Sequence, residues 1–173
     1  MPITLNGSSG ITFTNGFILG SGQGNVLQVK RAYAGPAIQT IASLTPVLIA
    51  GLSIDITPIS ALSTMIITAN VVASNGVISF GIFKDGVATV STAGQTNSNE
   101  PNMQATSYIR NDNGYLTSTM VMHYESSLNT NSRNYAVYGT SGWGGVVYTF
   151  YANNRSSNDM ACFSTIDVME VIV

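Results

Sequence analysis

The chain has 173 residues, enough for one domain with a buried core and short for two. Only 8% of them are charged, against roughly 25% in an ordinary soluble domain, and a net charge of −2 with a pI near 5.0 excludes the clustered positive field that nucleic-acid binding requires. Hydrophobic residues reach 45% and the mean hydropathy is +0.24, yet no stretch has the ~18 apolar residues of a membrane-spanning helix, so membrane insertion is not expected and other subunits are the expected cover for apolar surface.

Residues 1–25 read as an N-terminal arm and glycine-rich hinge. Short alternating pieces are broken at Asn6-Gly7, Ser9-Gly10 and Asn15-Gly16, dipeptides that tolerate the positive φ of tight turns. Ile3, Leu5, Ile11, Phe13, Phe17, Ile18 and Leu19 are too apolar to be left in water. They are candidates for an assembly arm that pairs with a neighbouring subunit or a host assembly by strand addition. The alternative is a frayed terminus carrying two short strands. No basic region followed by an apolar run opens the chain, so no secretory signal is expected.

Residues 26–173 read as the domain proper. Val26 to Tyr33 alternates as a strand, ended by Gly35-Pro36. Ile38 to Ile49 is apolar, with Pro46 marking an edge strand or a loop. From Gly51 to Val72 the alternation is strongest. Leu52, Ile54 and Ile56 share one face; Pro58 then removes a backbone donor and makes a corner; Met65, Ile67, Ala69 and Val71 resume the apolar face. Ile66 and Val72 fall on the opposite face, so something is expected to cover both sides of this second strand.

An Asn75-Gly76 turn leads into a strand over Val77 to Phe83, and Lys84-Asp85-Gly86 is a strong hairpin signal. Ser91 to Met103 is polar and turn-rich, a surface loop. A second hairpin is expected from Thr106–Arg110 and Leu116–Glu125 around Asn111 to Gly114. Within it Met120, Met122 and Tyr124 share one face, and Val121, His123 and Glu125 the other. Tyr135–Tyr138 and Val146–Tyr151 read as strands separated by Gly139 to Gly145, and the closing strand over Ala161 to Val173 alternates throughout. With no helical period in any window, the expected fold is all-β: an antiparallel β-sandwich or jelly roll.

Signs of catalysis are sparse. His123 is the single histidine and shares a strand face with Glu125, but no second histidine completes a metal set. The run from Gly20 to Gly24 lacks the Lys-Ser/Thr ending and following helix of a phosphate loop. Gly139-Thr140-Ser141-Gly142-Trp143 misses the last glycine of a hydrolase elbow. Asp167 and Glu170 are placed on opposite strand faces by their odd spacing, which is wrong for a glycosidase pair. Cys162 reads as a small apolar filler. An enzyme, a metal site and a cofactor are therefore not expected. Every tyrosine except Tyr33 follows residue 100, as does the only tryptophan, Trp143. Trp143 and Tyr138 are candidates for stacking on a glycan, set against a plain role as strand formers.

Three stretches, MPITLNGSSGI, the VLQVKRA strand with GLSIDITPISALSTMIITANV, and NNRSSND with the later STIDVMEV, resemble virion structural proteins of tailed bacteriophages. The likeness is to the β-structured domains of capsid-decorating and tail-fibre-like proteins. The resemblance implies a trimeric jelly-roll head, similar in outline to tumour-necrosis-factor-like modules, located in a virion assembled in the host cytoplasm. It carries no catalytic residues with it. About 25 residues precede the domain where a fibre has a long shaft, so the first expectation is a homotrimeric capsid decoration (cement) protein, docked on the major capsid protein or another virion protein. The alternative is a receptor-binding fibre tip that meets host surface glycans.

Overall fold

The computed structural model describes residues 4–6, 10–12, 18–19, 25–35, 39–89, 107–143, 146–147, 150–152 and 162–172. All the regular elements among them are strands: β1 (Thr4–Asn6), β2 (Gly10–Thr12), β3 (Ile18–Leu19), β4 (Asn25–Ala34), β5 (Gln39–Ile41), β6 (Val47–Ile56), β7 (Thr64–Lys84), β8 (Val87–Ala88), β9 (Ser107–Ser126), β10 (Arg133–Trp143), β11 (Val146–Val147), β12 (Phe150–Ala152) and β13 (Ser164–Ile172). The expected loops over Ser91–Met103 and Asn153–Asp159, and the hinge over Gly20–Gly24, lie outside the described residues.

Two antiparallel sheets of four strands form a β-sandwich. Sheet one runs β4, β13, the first half of β7 and the second half of β9. Sheet two runs β6, β10, the second half of β7 and the first half of β9. β7 and β9 therefore belong to both sheets, crossing between them where the register slips at Ser74/Gly76. This corrects the entry turn expected at Asn75-Gly76 and the hairpin expected around Asn111–Gly114, since β7 and β9 each run on through those residues. The β7–β9 ladder is interrupted there and then resumes, Asp112–Tyr115 of β9 standing against Asn75 alone, so Gly76 marks a shift of register and not a chain reversal. β10 likewise runs through Gly139 to Trp143 as one strand. By contrast the Asp85-Gly86 turn is as expected, with both residues at positive φ (50° and 78°).

Pro58 makes the corner that its missing donor demands: β6 ends at Ile56 in sheet two and β7 begins at Thr64 in sheet one. The alternating residues on either side then face each other. Leu52, Ile54 and Ile56 of β6 meet Met65, Ile67, Ala69 and Val71 of β7, joined by Phe80, Ile82, Val121, Tyr135, Val137, Ile166 and Val168 in one core. Gly51 bulges β6, its φ of +86° fitting the register shift opposite Ala136/Tyr138. Its missing side chain admits β4, since a Cβ there would lie 3.1 Å from Ala34 Cβ and 3.2 Å from Tyr33 O. No helix of the described residues is long and apolar enough to cross a membrane.

Candidate functional site

The pairings of sheet one line up its outward residues in rows. Val29, Met169, Ile66 and Tyr124 form one row; Arg31, Asp167, Thr68 and Met122 the next; Tyr33, Thr165, Asn70 and Met120 a third. These are the residues alternation turns away from the core, and much of what they present is apolar. Val26, Val29, Tyr33, Met120, Met122, Tyr124 and Phe163 are each 45–70% exposed, and Phe163 sets its ring edge-on to Tyr33 at 6.3 Å. With Phe163 joining Tyr33, they fall in two stripes along the edge strands β4 and β9, on either side of a more polar centre that holds Asp167, Thr165, Thr68 and Asn70, and exposed apolar surface of this kind marks an interaction face.

The charges within the rows cancel. Arg31 Nε donates to Asp167 Oδ1 at 2.5 Å and Nη2 to Oδ2 at 3.1 Å. That bond, with the attraction behind it, raises the Arg31 pKa above its ordinary value. A face whose central ion pair is satisfied internally can meet a copy of itself without like charges opposing.

The inward face of β9 carries a different set. His123 and Glu125 do share a face, as their spacing requires, and it is the core side at one end of the sandwich. Glu125 Oε1 accepts from Tyr135 Oη at 2.5 Å and pairs with Lys84 Nζ at 2.7 Å. Arg133 Nη1 and His123 Nε2 lie 3.5 Å and 3.7 Å from its two oxygens. Arg133 is otherwise held by the carbonyls of Ser127 and Asn129. Burial would raise the Glu125 pKa, but bonds from Lys84 and Tyr135 outweigh it and hold the carboxyl below its usual range. Burial pushes His123 down against the pull of Glu125, keeping the imidazole neutral near pH 7, and pushes the Tyr135 phenol up. A cleft of about 470 Å³ opens beside the cluster, lined by Lys84, Val87, Thr89, His123, Tyr124 and Glu125 among others. Lys84 comes from β7, and Arg133 and Tyr135 from β10, the strand after β9, so spacing along β9 alone gave no sign of them. Among the described residues no three His, Cys, Asp or Glu side chains stand close enough to hold a metal.

Glu170 closes the same end from sheet one. Its oxygens accept from the backbone N–H of Ile59 and Ser60, from Ser63 Oγ and from Gln28 Nε2, at 2.5–3.0 Å. Ser63 also meets Ser127 Oγ at 2.7 Å, tying the 57–63 loop to the 127–132 loop. Burial would raise this carboxyl, and the four donors reverse that and hold it at about 2. As alternation required, Asp167 faces the other way.

Of the remaining candidates, Leu5, Ile11, Ile18 and Leu19 fall in a three-stranded sheet made by β1, β2 and β3, while Ile3, Phe13 and Phe17 lie outside the described residues. Tyr138 is half-buried with its ring on Phe83, centroids 4.3 Å apart. Trp143 ends β10, paired with Val146, and is not adjacent to Tyr138 in the strand. Compared with protein-family models and with curated proteins, the chain matches none.

Proposed function

We propose that the chain is a structural subunit of a tailed-phage particle: a homotrimeric, non-catalytic capsid decoration protein that docks through its N-terminal arm. The observation carrying this reading is the outer face of sheet one. It carries exposed apolar stripes along both edges and is internally charge-balanced, on a chain with few ionised groups to keep such a face in water. The strand order supports a jelly-roll reading of the sandwich, and the virion setting rests on the sequence resemblance. The polar cluster around Glu125 fits this reading as a plug for the core, its carboxylate already taken up by protein donors.

Analytical ultracentrifugation of the purified chain tests the reading. The wild type is expected to sediment at the mass of a trimer, and Met122→Lys or Tyr124→Lys to give monomers with unaltered far-ultraviolet dichroism. A wild type that stays monomeric at high micromolar concentration would sink it. Counting copies in a purified particle then separates a cement protein, present many times over, from a scarce receptor-binding tip.

A further inference from the structure

At the end of the sandwich closed by Glu170, three aliphatic side chains stand open on two neighbouring loops: Ile59 at 60%, Leu62 at 85% and Leu128 at 80% exposure. The loops are firmly set. Ser127 N donates to Ser63 O at 2.8 Å, the two serine hydroxyls meet, and Ile59 N is held by Glu170. Leu128 sits at a φ of +59°, a conformation that disfavours leucine. The fold thus holds a strained, wet leucine beside two other exposed aliphatics, a preorganised apolar tip. Neither 57–63 nor 127–132 contains a charged residue.

The N-terminal sheet has matching properties. Its register aligns Leu5, Ile11 and Leu19 in one row across β1, β2 and β3, and residues 1–24 contain no Asp, Glu, Lys or Arg. Its chain joins the sandwich at the tip's own end, since Asn25 pairs with Ile172, and Val26, Val171, Thr64 and Ser126 form the last row of sheet one there. The step from Leu19 to Asn25 reaches at most ~20 Å, and crossing that row from β4 to β9 takes about 14 Å.

We infer that in the free oligomer, before the arm docks on a particle, the N-terminal sheet of one copy covers the Ile59–Leu62–Leu128 tip of a neighbouring copy. The inference rests on the self-association proposed above. The apolar side chains of sheet one fall in two edge stripes, Val26, Val29 and Tyr33 on β4 and Met120, Met122 and Tyr124 on β9. Where the β4 stripe of one copy meets the β9 stripe of the next, the arm ahead of Val26 arrives beside the tip that follows Ser126. A lipid surface suits the tip poorly, because neither loop offers lysine or arginine to a headgroup.

Amide hydrogen exchange on the full-length oligomer, wild type against the Leu62→Ser/Leu128→Gly double variant, tests the inference. Glycine suits the positive φ at 128, so the fold is retained, and Leu62→Ser alone serves as a second variant. The expected result is exchange about tenfold faster at residues 4–6, 10–12 and 18–19, with β13 protection and sedimentation unaltered. Unchanged arm exchange in a protein that still sediments as an oligomer would overturn this inference alone. A monomeric wild type would overturn the association as well.

Discussion

Glu170 and Ile59 are 111 positions apart in the chain, yet the backbone N–H of Ile59 lies 2.9 Å from both oxygens of the Glu170 carboxylate. The last strand of sheet one thereby holds the corner at which the chain leaves sheet two. Pro58 forces the corner, and Glu170 gives the freed N–H groups after it an ionised acceptor away from water.

A carboxyl held at about 2, against an ordinary 4.5, binds its proton more weakly folded than unfolded. Its stabilisation is therefore complete above pH 4.5 and fades as the pH falls towards 2. We expect Glu170→Gln to lose ~2 kcal/mol at pH 7 and to show a flatter stability profile below pH 4.5. Urea denaturation at pH 7 and pH 3 reads both; equal losses at the two values would refute the assignment.

His123 is pushed down by burial, so the unfolded chain takes up its proton first as the pH falls below the ordinary 6.5. Stability is expected to decline from pH 6.5 downwards on this account. In His123→Phe that part of the slope should vanish from a series of thermal melts between pH 7 and pH 5.

Removing Glu125 leaves Lys84 and the buried Arg133 without their shared anion. Glu125→Ala is expected to cost about 3–4 kcal/mol, and Tyr135→Phe, which deletes one donor and keeps the ring, about 1 kcal/mol. Calorimetric melting of the two variants checks the ranking, which the plug role of this cluster requires.

At Gly51 a side chain would meet both a φ of +86° and Ala34 Cβ at 3.1 Å. Gly51→Ala is expected to destabilise by ~2 kcal/mol and to lower the melting temperature by about 4–8 °C. Gly86 also has positive φ but no atom within 4 Å of the added Cβ, so Gly86→Ala should cost less.

Much of the sandwich could be read from period-two patterning. Leu52 to Ile56, Met65 to Val71 and Ile166 to Glu170 place their buried residues where alternation puts them, because each strand has one face on the core. Met120, Met122 and Tyr124 were legible as a face, and the register of β7 and β13 was needed to show that the face continues across the sheet. Glycine signals were read less well. Asn75-Gly76 and Gly139 look like strand ends in isolation, but β7 and β10 run on through them, the shift of register at Ser74/Gly76 being taken up by extra residues of β9. The Glu125 and Glu170 networks could not be foreseen, since period-two patterning gives the face of each strand but not which side chains of other strands meet there: Lys84, Arg133 and Tyr135 for Glu125, and Ile59, Ser63 and Gln28 for Glu170.

The placement of β13 between β4 and β7 has a consequence for how the molecule is made. Until Ser164–Ile172 has left the ribosome, the two strands it joins have no ladder to share, and closure must span most of the polypeptide. Such long-range pairing is slow. Nascent chains would meanwhile show one another their unpaired edges, so crowded synthesis should favour pairing between chains over the native sandwich unless the strand arrives in time.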